Sequence, residues 1–355
     1  MTATFDVGAH SQSLVGHHYR LDDHYEVGRE KIREYARAVQ DYHPAHWQEE
    51  AAAELGYSGL VTPATFFSIP AMLANRRLFE SVVTGYEVYV QTDQVFEWYR
   101  PVVAGDRLTS DVELSSVRRI AGKDLLTVTN TFTDQAGHVV QVMHTTVVGI
   151  TADEVEPGIG DAMKSVLMHG LDVSAPATTL SGGTAGGSAE ADGSARGSAD
   201  ADALATRIAA PRPPRTAPRF EDVAVGDTLP PRTVTITRGD LVNYAGVSGD
   251  ANPIHWNEHI AKLAGLPDVI AHGMLTMACG AGFVTGWLGD PGALSKYTVR
   301  LSNYTVVEAQ APGIVEYTGK IKSVDPESRT AVVLITAKSA GRKIFGLATA
   351  EVRLS

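Results

Sequence analysis

The chain has 355 residues, 44% of them hydrophobic, and a formal net charge of −11. That length suits two or three domains with ordinary apolar cores, and the acidic balance argues against nucleic acid, which is met by a basic face. The single cysteine, Cys279, rules out an intrachain disulfide and a cysteine-based zinc site. With no apolar signal-type segment and no apolar run of about 18 residues, the expectation is a cytoplasmic protein without a membrane span.

The first block opens on Val27-Gly-Arg-Glu-Lys-Ile-Arg-Glu-Tyr35-Ala-Arg-Ala-Val-Gln-Asp41-Tyr-His43-Pro44-Ala-His46-Trp47. An apolar helix around Phe66–Leu73 follows and carries Pro70, which should kink it. Long alternating segments then predict strands over Tyr86–Tyr99, Leu108–Ile120, Asp124–Thr133 and Val139–Ile150; Leu125-Leu-Thr-Val-Thr-Asn-Thr-Phe132 shows the period of two most clearly. From 153 to 218 the composition turns to Ala, Gly, Ser, Thr, Asp and Pro. Such a stretch has too few large apolar residues to offset its ordering entropy, so a flexible tether is expected, stiffer at its proline-rich end. A short helix near Asp161–His169 is a further expectation.

The second block contains Tyr244-Ala-Gly-Val-Ser-Gly249-Asp250-Ala-Asn252-Pro253-Ile-His255. Gly-Asp and Asn-Pro are turn formers, so Asp250 and His255 fall on the rim of one tight loop fed by a short amphipathic helix. Histidine exchanges protons near neutral pH, and a neighbouring carboxylate can orient it or share a water with it. Taken alone, the spacing also describes an Asx turn beside a surface histidine. The central helix expected from Gly273 to Gly289 is rich in Gly and Ala. Each interior Gly costs about 1 kcal/mol against Ala, so this helix needs a sheet wrapped closely around it, with Cys279 a buried, inert thiol. Strands are predicted over Lys296–Val306, Gly313–Val324, Thr330–Lys338 and Lys343–Leu354.

The two blocks repeat each other at a constant register of 209 residues, from 250 − 41 and 255 − 46. A helix followed by antiparallel strands, twice over, indicates an α+β chain.

The pattern from Tyr244 through Ala261 resembles the signature of the R-specific enoyl hydratase (hydratase 2, MaoC-like) family, and Asp268-Val-Ile-Ala-His272-Gly273 resembles the family's entry into the central helix. The resemblance implies a tandem double hot dog: a substrate-binding domain over 1–152, a linker over 153–218 and a catalytic domain over 219–355. Further likeness is to the mycobacterial-type (3R)-hydroxyacyl-ACP dehydratase. Tyr25-Glu-Val and Ala53-Glu-Leu-Gly-Tyr57 look HadA-like, while the Asp240–Asp250 and Ser323–Ser328 segments look HadB-like.

On that likeness Asp250 and His255 take the catalytic positions, with Gly273 as oxyanion donor and His272 and Asn252 beside the substrate. The Gly273 amide would stabilise the enolate-like charge that forms as a proton leaves C2 and hydroxide leaves C3. Which of the pair handles the C2 proton stays open. The reaction calls for no cofactor and no metal. Its substrate is an acyl-ACP or acyl-CoA thioester, and basic pairs such as Arg342-Lys343 are compatible with carrier docking. Two fused copies form an intramolecular pseudo-dimer that can pair again as a homodimer. Asp41 and His46 mark a second candidate site, in which Gln40 replaces Gly249, His43 replaces Asn252, and Pro63-Ala64 replaces His272-Gly273. That copy reads as eroded, its half forming the acyl tunnel. A hot-dog thioesterase and a non-catalytic acyl-binding protein are the competing classes.

Overall fold

The computed structural model describes residues 6–20, 23–167, 208 and 212–355. Each half packs a central helix against the inner face of an antiparallel sheet. In the first half the strands are β1 His18–Arg20, β2 Tyr25–Glu26, β3 Tyr86–Trp98, β4 Arg107–Ile120, β5 Lys123–Thr133 and β6 Val139–Thr151. The second half has β7 Thr228–Ile236, β8 Leu294–Leu301, β9 Gly313–Asp325, β10 Thr330–Ser339, β11 Arg342–Lys343 and β12 Phe345–Arg353. The order β1-β4-β5-β6-β3-β8-β12-β10-β9-β7 joins both halves into one continuous sheet, with the two half-sheets mirrored about the β3–β8 seam. This is the α+β double hot dog expected from the sequence.

Antiparallel pairing across the seam runs from Asp93 opposite Arg300 to Glu97 opposite Lys296. Ion pairs close both ends, Arg300 to Asp93 at 2.7 Å and Lys296 to Glu97 at 2.6 Å. Partly exposed pairs add little stability, but a one-residue slip would separate all four charges from their partners, so they favour this pairing. Tyr35 and Tyr244, equivalent under the repeat, meet beneath the seam with ring centres 6.3 Å apart, in an apolar core that both halves share.

The helices, α1 to α8 in chain order, are Val7–Ser13, Arg29–Ala38, Glu49–Glu54, Ser68–Arg77, Ile159–Val166, Arg238–Ser248, Glu258–Leu263 and Gly273–Leu288 among the described residues. The second half's central helix, α8, is almost wholly buried. Its glycines admit aromatic neighbours: a Cβ on Gly280 would lie 2.6 Å from the Tyr297 hydroxyl. That approach lets Tyr297 and Tyr317 donate to the Met277 and Thr276 carbonyls at 3.2 and 2.8 Å. Cys279 is buried, its thiol pushed up to about 12 by burial.

Three expectations need correction. Pro70 does not kink its helix: α4 begins at Ser68, so Pro70 falls in the first turn, where its missing N–H has no intrahelical acceptor to lose. The distortion lies at the other end, where Leu78–Val82 forms a wider turn closed by Val83 N–H to the Leu78 carbonyl. Strand β8 stops at Leu301 rather than Val306, because the chain then turns to cover the start of α8, with Ala271 N–H bonded to the Thr305 carbonyl.

The tether expected over 153–218 is, in part, built into the fold; residues 168–207 and 209–211 lie outside the described residues. At its start, α5 covers most of the expected short helix and packs near α7. At its end, Arg212 and Arg215 bind across both halves. Asp290 is fully buried and accepts from Tyr57 Oη, from Arg212 at 3.2 Å and from the Arg215 amide at 2.7 Å. Arg212 also donates to the Leu55 carbonyl and stacks over the Tyr57 ring. No described helix is long and apolar enough to cross a membrane.

Because Asp290 gathers these donors in a dry site, Asp290→Ala strands them. Thermal and urea unfolding are expected to register a loss of about 3 kcal/mol or more, against no measurable change for breaking the exposed Arg219–Asp222 pair.

Candidate active site

Helix α6 sets the Asp250 loop. Thr237 and Asp240 cap its N-terminus reciprocally, and Gly249 ends it at φ 81°, a left-handed turn that glycine adopts without a Cβ penalty. The Asp250 carboxylate then accepts from the Asn252 amide at 3.3 Å, and Asn252 Oδ1 accepts from the Ile254 amide at 3.2 Å. These Asx turns deliver His255, whose Nδ1 donates to the Ile270 carbonyl at 2.8 Å. That bond leaves Nε2 as the free, basic nitrogen. Burial holds His255 below the usual histidine range, with the Asp250 charge acting in the opposite sense.

The residues singled out in the second half do converge. Asp250, His255 and His272 bring one donor atom each within 4.8 Å of the others. Asp250 and His255 form no ion pair with each other, a gap that a single water bonded to both would span. The His255 and His272 rings stack with centres 3.8 Å apart at 27°. Their planes meet far outside the ~2.0–2.1 Å reach of a zinc–imidazole bond, so this donor set suits a shared water better than a metal ion. Gly273 is the first residue of α8, where amides lack intrahelical acceptors and the helix dipole is positive. Asn252 shapes the loop through its side chain, and the His272 side chain is wholly buried.

The first half builds the same loop from different residues. Gln40 takes the left-handed turn at φ 53°, at a cost of roughly 1–2 kcal/mol for a side chain with a Cβ. It is held there by its own amide on the Thr235 carbonyl and by Arg232 on its carbonyl. His43 replaces the Asn252 cap, its Nδ1 accepting from the Ala45 amide at 3.3 Å. His46 Nδ1 bonds the Val61 carbonyl at 2.7 Å, as His255 bonds Ile270. The eroded sequence therefore keeps the loop geometry.

Access is what differs between the copies. Asp41 and His46 have closed to 3.4 Å, with His46 fully buried. A Cβ on Gly282 would lie 3.2 Å from the Asp41 carboxylate, which presses on the other half's central helix. Trp98 stands where the second half has Leu301, each five residues before the matched bridges Val61–Val103 and Ile270–Val306. The cavity beside Ala64 measures about 20 Å³, room for a water but not for an acyl chain.

Sequence reasoning passed over a polar seam in the first half. Gln91 donates to Gln94, which also accepts from Thr145, while Asn75 and Asn130 exchange amide bonds. The seam separates two apolar clusters and runs toward the site, with Gln91 Oε1 4.0 Å from where a Gly273 Cβ would stand. The available signal was phase: Asn130 occupies an inward position between Val128 and Phe132.

The closed pair has a measurable signature. Burial alone would raise the Asp41 carboxyl, but the His46 charge and the His43 amide more than offset this and bring it down to about 2. A carboxylate depressed on folding stabilises the chain above its unfolded pKa, and that contribution is lost as pH falls through the folded value. Asp41→Asn is therefore expected to remove roughly 2 kcal/mol of stability that the parent loses between about pH 4 and pH 2, as read by acid unfolding.

Comparison with known proteins places this geometry. A "MaoC like domain" model matches residues 222–338, and a "FAS1-like, dehydratase domain region" model matches residues 13–143. A solved structure described as a MaoC-like dehydratase is 57% identical, covers 97% of this chain and 100% of that one, and superposes with a TM-score of 0.86. A UPF0336 protein of Mycolicibacterium paratuberculosis is 45% identical over 152 residues, which are 42% of this chain and 96% of that protein. A Mycobacterium tuberculosis protein described as having a double hot-dog fold shares only 13% identity at a TM-score of 0.61, covering 99% of each chain, and supports the fold alone. The chain belongs to the MaoC-like dehydratase family and is a hydro-lyase built on two hot-dog halves.

Proposed function

We propose that this protein is a (3R)-3-hydroxyacyl-ACP dehydratase of type II fatty-acid synthesis of the mycolic-acid type, acting in the cytoplasm. It removes water reversibly and on one face from a 3-hydroxyacyl thioester to give the trans-2-enoyl thioester. One observation carries the reading: an ionisable pair on one loop, close but unpaired, beside the first amide of a long helix. The thioester oxygen would sit on the Gly273 amide, so that charge developing as C2 loses its proton meets a fixed donor. Asp250 and His255 would hold the departing water between them and pass its protons, and their position on a single loop suits removal from one face. The low affinity of buried His255 for a proton keeps it an acceptor at neutral pH.

The acyl chain has a ready surface. Under the 209-residue register Leu73 matches Gly282, so by the repeat Leu73 would face the Asp250 loop as Gly282 faces Asp41. Leu73 and Met72 are 52% and 40% exposed, a degree suited to an apolar chain laid across them. The second reading, an R-specific 2-enoyl-CoA hydratase, uses the same residues and differs only in carrier and net direction.

His255→Ala and Asp250→Asn are each expected to lower kcat/KM on a 2-enoyl thioester by roughly 10²–10⁴ with circular dichroism unchanged. His46→Ala is expected to keep most activity per folded molecule. Substantial turnover in either of the first two, or loss in the third equal to theirs, would refute the assignment.

A further inference from the structure

We infer that His272 is a positioning residue: its imidazole is the wall that sets the plane of the His255 ring and locks the acid–base loop to the helix start carrying Gly273. The inference rests on the dehydratase reading above.

A residue just before a helix usually caps it, yet His272 makes no side-chain cap bond. Its ring turns instead to the loop, with Nε2 3.3 Å from the Asp250 carbonyl. A carbonyl only accepts, so Nε2 carries the hydrogen and Nδ1 is bare. That Nδ1 is buried without a protein partner, which costs free energy. Packing alone does not require this, since the first half places Pro63 at the same point, where proline is comfortable.

The ring joins three elements. It stacks on His255 at 3.8 Å, bonds the Asp250 peptide, and is braced by the Tyr244 ring of α6 at 4.8 Å. In the first half, where the wall is missing, His43 meets His46 edge-on at 5.6 Å and the Asp41–His46 pair has closed. Burial, reinforced by repulsion from His255, drives His272 down to about 2. It is therefore neutral at working pH and moves no proton itself. The titratable groups against His255 are Asp250 from its own loop and His272 from the helix start, with Tyr244 behind.

Two substitutions in the full-length protein separate the parts of the role: His272→Phe keeps a wall without a donor, and His272→Gln keeps a donor near the Nε2 position without a wall. Steady-state kinetics on a 2-enoyl thioester are expected to show kcat down tenfold or more in both, with KM within twofold. In His272→Gln, water reaching His255 should move its titration limb to higher pH, toward the ordinary value. Nitrogen-15 NMR of the unaltered protein should find His272 in the Nε2–H form and not titrating. Folded variants with wild-type kcat and pH profile, or a His272 that titrates near neutrality, would overturn the inference. The NMR readout does not depend on turnover, so an inactive parent protein would count against the dehydratase reading alone.

Discussion

The antiparallel seam between β3 and β8 is the constraint on which the rest depends. Pairing Asp93 with Arg300 and Glu97 with Lys296 fixes how the two half-sheets meet. A one-residue slip would turn every inward side chain outward, separating Tyr297 and Phe96 from the shared core. The same seam carries the first half's loop over the second half's central helix, where Asp41 lies against Gly282. Fusion into one chain makes this heterologous pairing independent of concentration, and the Arg212–Asp290–Tyr57 junction holds it from the linker side.

Within that frame the two halves have diverged. Both loops have one shape, and the first keeps it despite a strained Gln40. Strain of this kind persists only where surrounding contacts over-determine it, here through Arg232 and Thr235 of the second half. What separates the copies is spacing: Asp41 and His46 are closed in contact, while Asp250 and His255 stand apart beside His272. The first half's polar seam and the second half's aromatic packing extend this division into the two interiors.

Much of this was legible in the sequence, for physical reasons. Period-two strands and the Gly/Ala-rich central helix were strong signals because burial on one face imposes them, and seven of the eight expected strands fall close to their observed ends. The register of 209 exposed the two-fold relation before any coordinate did. Pro70 misled because its effect depends on where the helix starts, and the start at Ser68 puts it in the first turn. The linker misled because a few residues, Arg212 and Arg215, find buried partners far away in sequence. The loop around Asp41 looked eroded because residue types were compared rather than roles: His43 caps as Asn252 does, and Gln40 can be forced into the turn that Gly249 prefers. The closed first site was invisible because Asp41 packs against Gly282 of the other half, far away in sequence.

The central claim is that one loop, Asp250 to His255, adds and removes water on one face of an acyl thioester held at Gly273. Hydration of a trans-2-enoyl thioester in heavy water, with chiral analysis of the product, tests it most directly. The account predicts only the (3R)-3-hydroxyacyl thioester, carrying a single deuterium at C2 in the syn relation to the new hydroxyl. Racemic or (3S) product, free thiol from hydrolysis, or no product at all would contradict it.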